Sequence, residues 1–202
     1  LYMDKRYMVY IDNKNRKYST ENYKDVLMHV RSLLKDFSNV LVRDVRISSY
    51  FIEMDVSIYN TKEIFVSPII IEKLNSVGSL LLCDDLSEPK FCLTKDCIVD
   101  HAIYLFNLER FWKSHEVLEG LWKESTGSEK RILNGIILID AAFVHYQKNE
   151  LDVFISILKR SIEKLRGNLG MFYNLNLNEI KENLNNIIEK KNHPYTFKIS
   201  LY

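Results

Sequence analysis

Between Asp96 and Lys191 the apolar residues of this chain follow the three- and four-residue spacing of helices, whereas the residues up to Cys83 also carry a spacing of two. The first period belongs to helix and the second to strand, so this switch constrains the fold more than any other feature. Tyr7–Ile11 is a short run of strand formers ending in the polar turn Asp12–Asn15. After the cap Tyr18-Ser19-Thr20, residues Tyr23, Val26, Leu27, Val30, Leu33, Leu34 and Phe37 repeat as one face of a helix. Val40–Ile47 reads as a strand. Over Phe51–Tyr59, Ile52, Met54, Val56 and Ile58 face one way and Glu53, Asp55 and Ser57 the other, the pattern of a half-buried strand. Ile64–Val66 extends the sheet, Pro68 opens a short helix reaching Asn75, Gly78 ends it, and Leu80–Cys83 is a last strand. This order predicts a small ferredoxin-like βαββαβ domain over residues 1–86.

Asp84–Lys90 gathers charge, Ser and Pro, and marks the boundary to a second domain, 87–202. There the spacing predicts an all-α fold of five helices, near 96–107, 109–124, 129–148, 150–166 and 177–191. Asn176, with Glu179 three residues on, reads as a capping box, and Gly167 and Gly170 stop the fourth helix. The tail, with Pro194, Tyr195, Phe197 and Tyr202, is expected to pack in extended form. The chain as a whole is α+β.

Formal net charge is +1 and the pI about 7.8, with acids beside the bases throughout. Such a balance argues against a nucleic-acid interface. No apolar run approaches the roughly 20 residues of a membrane span, and Leu1–Arg6 lacks the apolar core of a leader. Cys83, Cys92 and Cys97 form no CxxC pair, against both a disulfide framework and a zinc ribbon, so a reducing cytoplasm is the expected compartment.

The chemically suggestive segment is FWKSHEVLEGLWKE, residues 111–124. On a helical projection Phe111, Leu118, Leu121 and Trp122 form the apolar stripe, and Lys113, Glu116, Gly120, Lys123 and Glu124 the wet face. His115 falls inside the stripe and Glu119 on its flank, four residues apart and therefore neighbours. A buried carboxylate needs a partner, so the two are expected to be buried and hydrogen-bonded to each other, leaving one ring nitrogen for a ligand. The helix that follows is apolar almost all round. Asn134 and His145, three turns apart, share one of its stripes, with Arg131 at the edge. Antiparallel packing would turn that stripe toward His115 and Glu119. Asp140 projects elsewhere and is expected to make a local bond.

The stretch FNLERFWKSHEVLEGLWKESTGSEKRILNGIILIDAAFVHYQKN, within about residues 98–165, resembles a bacterial and archaeal domain of unknown function, family 309. The likeness rests on HxxxExxW, here His115, Glu119 and Trp122, with Phe106-Asn107 before it and Arg131, Gly135 and His145 after it. It implies an all-helical fold and a site without an assigned reaction. This chain departs from it where Glu109 and Asn149 stand at positions of a common turn glycine, and where Asn134 replaces glutamine.

The expected pocket is therefore His115, Glu119, Trp122, Arg131, Asn134 and His145, in a module that binds or interacts. The alternative is a metal-dependent hydrolase in which His115, Glu119 and His145 hold a divalent metal, zinc by ligand type, and Arg131 meets an anionic substrate. The plain alternative is a satisfied His–Glu pair that only locks helix packing. The ligand is left open, and an exposed edge at Val40–Ile47 leads to the expectation of a homodimer.

Overall fold

The computed structural model describes residues 3–61, 68–86, 94–189 and 195–202. The chain divides into two units, Leu1–Lys90 with Gln147–Asn149, and Phe91–Tyr146 with Glu150–Tyr202. In the first, β1 (Met3–Asp12) leads through single 3-10 turns to α1 (Tyr23–Leu34), β2 (Val40–Ile47), β3 (Phe51–Thr61), α2 (Pro68–Leu74) and β4 (Leu80–Asp85). The strands form an antiparallel sheet in the order β2-β3-β1-β4. The expected extension at Ile64–Val66 lies outside the described residues.

One face of the sheet carries the core. Tyr7, Val9 and Ile11 of β1 and Ile52, Met54 and Val56 of β3 meet Val26, Val30 and Leu34 of α1 and Ile70 and Leu74 of α2. The other face corrects the reading of β3 as half-buried. Every residue from Phe51 to Ile58 is buried, Glu53 and Asp55 included. The carboxylates are neutralised where they lie. Arg46 Nη1 donates to Glu53 Oε1 at 2.9 Å, and Arg6 grips Asp55 with Nε at 2.8 Å and Nη2 at 2.6 Å. At the β2 edge, Arg31 Nε and Nη2 donate to the carbonyls of Val42 (3.1 Å) and Arg43 (3.0 Å).

The second unit contains α3 (Lys95–Asn107), α4 (Phe111–Glu124), α5 (Gly127–Gln147), α6 (Leu151–Leu165), a two-residue ribbon of β5 (Met171–Phe172) with β6 (Leu175–Asn176), and α7 (Leu177–Glu189). Periodicity gave no sign of the ribbon, because two residues carry no period. Asn176 caps α7, its Oδ1 accepting from the N–H groups of Asn178 (3.1 Å) and Glu179 (3.3 Å). Glu179 receives the Tyr202 hydroxyl. The turn residues Glu109 and Asn149 hold φ of 61° and 57°, the left-handed region that glycine adopts freely. Leu133, Ile136, Ile139, Ala142 and Phe143 of α5 are buried with Leu118 of α4, Phe106 of α3 and Phe154 of α6. Among the described residues no helix is long and apolar enough to cross a membrane.

Candidate functional site

On α4 the apolar spacing places Phe111, Leu118 and Leu121 inside the core. The polar residues between them emerge on the flank. The ligand atoms of His115, Glu116 and Glu119 all lie within 4.8 Å of one another, and all three residues are half-buried. At about 100° per residue, Glu119 falls between His115 and Glu116 around the helix, so one face offers a ring nitrogen and two carboxylates. Glu119 also meets Lys123 Nζ at 3.4 Å, with its side chain 36% exposed.

This geometry corrects two expectations. His115 and Glu119 are not enclosed between α4 and α5, and no hydrogen bond between them occurs among the described contacts. Half-burial leaves Glu119 partly hydrated, so it has no need of the histidine as sole partner. Glu116, assigned to the wet face, is the third member of the cluster. The signal was present as His115-Glu116 next to each other with Glu119 three further on, a spacing that keeps all three on one side of a helix.

The remaining candidates are elsewhere. His145 is not in the cluster. Its Nδ1 bonds Glu150 across the α5–α6 turn, so the expected His115–Glu119–His145 ligand set is not assembled. Arg131 is exposed and spent on backbone: Nε donates to Lys164 O at 3.1 Å and Nη2 to Arg166 O at 2.7 Å. It closes the C-terminus of α6, where free carbonyls and the negative end of the helix dipole favour a cation. Asn134 is half-buried and makes no hydrogen bond to the other candidates among the described contacts. Trp122 packs partly buried against the core, with Lys130 Nζ 4.5 Å from its ring centroid. On the same unit, the Tyr173 hydroxyl and Lys95 hold the Glu129 carboxyl below its ordinary range.

Asp140 is the polar residue whose environment the sequence did not reveal. It is 1% exposed, and burial pushes its carboxyl well above the usual carboxylate range, weakly opposed by Ser114 on α4. Neither Ser114 Oγ nor Asp140 Oδ2 has a hydrogen-bond partner of good geometry among the described residues. An all-apolar helix interrupted by one Asp was the available signal, but its surroundings depend on how α4 lies beside α5.

Residues 99–157 match the family described as a domain of unknown function (DUF309), so the resemblance carried by His115, Glu119 and Trp122 holds over that stretch. The matched residues run from α3 into α6. Among solved structures, the crystal structure of a conserved hypothetical protein from Thermus thermophilus is 25% identical. The likeness covers 45% of this chain and 95% of that chain, with a TM-score of 0.39. No curated protein matches the chain.

Proposed function

We propose that the helical unit is a ligand-binding module, and that its ligand is a divalent cation held on the flank of α4 by His115, Glu116 and Glu119. The observation that supports this is the approach of their three ligand atoms to within 4.8 Å. One imidazole and two carboxylates form a nitrogen–oxygen donor set suited to zinc, with a remaining position for water. Trp122 and Leu118 supply the apolar footing of the same helix. The imidazole binds a metal only in its neutral form, so affinity is expected to fall in acid. No hydrolytic reaction is assigned, because the third ligand of that alternative, His145, bonds Glu150 instead.

The test is calorimetric titration of the metal-free chain with zinc at pH 7.5. Wild type and His145→Ala are expected to bind alike, whereas His115→Ala and Glu116→Gln lose at least tenfold, about 1.4 kcal/mol. Wild type failing to bind at millimolar zinc would sink the proposal, as would His115→Ala binding equally well.

The first unit is, on this reading, a ferredoxin-like domain of residues 1–86. The strand order β2-β3-β1-β4 with two crossover helices supports that assignment. On the same reading, residues 87–202 form a five-helix domain. Free Cys83 and Cys97 fit a reducing, cytoplasmic setting, and the proposed assembly is a homodimer.

A further inference from the structure

The segment 195–202 belongs to no helix or strand, yet it alternates inward and outward as a strand does. Ile199 is buried and Tyr195 and Phe197 half-buried, while Thr196, Lys198 and Ser200 are exposed. The inward residues enter an aromatic groove. Phe197 stacks on Phe143 of α5 (centroids 6.0 Å, planes 24° apart) and meets Phe106 of α3 edge-on at 5.7 Å. Tyr195 packs on Tyr146 at 5.8 Å and on Phe154 of α6 at 5.3 Å.

The backbone of this segment is held as firmly as its side chains. The Asn107 side chain grips Ile199 at both ends of one residue, Nδ2 donating to Ile199 O at 2.8 Å and Oδ1 accepting from Ile199 N–H at 2.9 Å. Tyr195 N–H donates to the Tyr146 hydroxyl at 3.2 Å, and Tyr202 N–H to Asn174 O at 3.0 Å. Main-chain bonds that ignore side-chain identity, joined to pockets for alternate side chains, are the two components of extended-peptide recognition.

We infer that the groove formed by Phe106, Asn107, Phe143, Tyr146 and Phe154 is a recognition site for an extended peptide of pattern aromatic-x-aromatic-x-aliphatic. The chain's own Tyr195–Ile199 is its intramolecular occupant. Asn107 sets the register by clamping one residue's amide and carbonyl, and Phe143 and Phe154 select the aromatic side chains. A peptide in trans competes with the attached segment. A groove closed by its own tail about 99% of the time shows an apparent affinity lowered about 100-fold.

The test uses the full chain and a fluorescent synthetic peptide of residues 195–202. In Phe197→Ser/Ile199→Ser the attached segment is weakened while the groove is untouched. Fluorescence anisotropy is expected to report peptide binding to this variant at least tenfold tighter than to wild type. Adding Asn107→Ala to it is expected to abolish that binding. Independently, Asn107→Ala in the otherwise unchanged chain is expected to speed tryptic cleavage after Lys198 without change in helical circular dichroism. A folded double variant that does not bind the peptide overturns the inference. So does loss of the helical signal in that variant, which makes the segment an integral part of the core, or cleavage after Lys198 at the wild-type rate in Asn107→Ala.

Discussion

Asp140 carries a cost in stability that a single substitution exposes. Its carboxyl keeps its proton in the folded chain to a pH well above the ordinary value of 3.8, because burial disfavours the charge. The unfolded chain loses that proton near the ordinary value. Above it the unfolded state binds fewer protons than the folded, so stability falls as pH rises toward the folded value. An asparagine side chain at this position binds no proton in either state. Denaturant titrations at pH 4 and pH 8 are expected to show Asp140→Asn gaining on wild type with pH. The gain is expected to be larger at pH 8 than at pH 4, because only the aspartate gives up a proton on unfolding. Equal pH dependence of the two proteins would place Asp140 in a wetter or better paired site. Arg131 teaches a related point at this scale. Its charge and helical position were legible in sequence, but its use by Lys164 O and Arg166 O depended on where the end of α6 arrives.

Among the elements, α5 and α6 come into close contact, and Gly135 permits it. A Cβ there would lie 2.6 Å from Leu165 Cδ2 and 2.7 Å from Cγ. Leu165 is fully buried and has nowhere to retreat. At the same point Ser161 Oγ donates to Gly135 O at 2.7 Å. Helix propensity alone favours alanine over glycine by about 1 kcal/mol. The clash outweighs it, so Gly135→Ala is expected to destabilise by about 1–3 kcal/mol. A rise in melting temperature would show that the helices are not in contact there. The helix limits were readable because long amphipathic repeats and the Asn176 cap carry them locally. The burial of Glu53 and Asp55 was not, since alternation reports the polarity of a face and not whether anything covers it.

For the whole molecule, the proposed homodimer needs an edge, and the two edges of the sheet differ. At β2, the edge named from sequence, Arg31 occupies the carbonyls of Val42 and Arg43, a guard against added strands. At β4, Leu81 and Leu82 are 56% and 42% exposed in succession. Pairing through β4 is therefore the favoured route. Light scattering at micromolar concentration is expected to give twice the chain mass, reduced to the single mass by Leu81→Lys. A monomeric wild type refutes the dimer.

The sequence by itself determined the helices and the four longer strands of this protein, because hydrophobic period, caps and turn residues act over a few positions along one helix or strand. Glu109 and Asn149 were marked as turn sites, and both take positive φ. His115 and Glu119 were placed as neighbours on one face by the helical repeat alone. The tertiary structure decided what each polar group meets. It set His145 against Glu150, left His115 and Glu119 half-open with Glu116 beside them, and enclosed Asp140 next to Ser114. Those outcomes depend on separations of a few ångströms between segments distant along the chain. Hydrogen bonding, desolvation and metal ligation all vary steeply over such distances, and no local period encodes them.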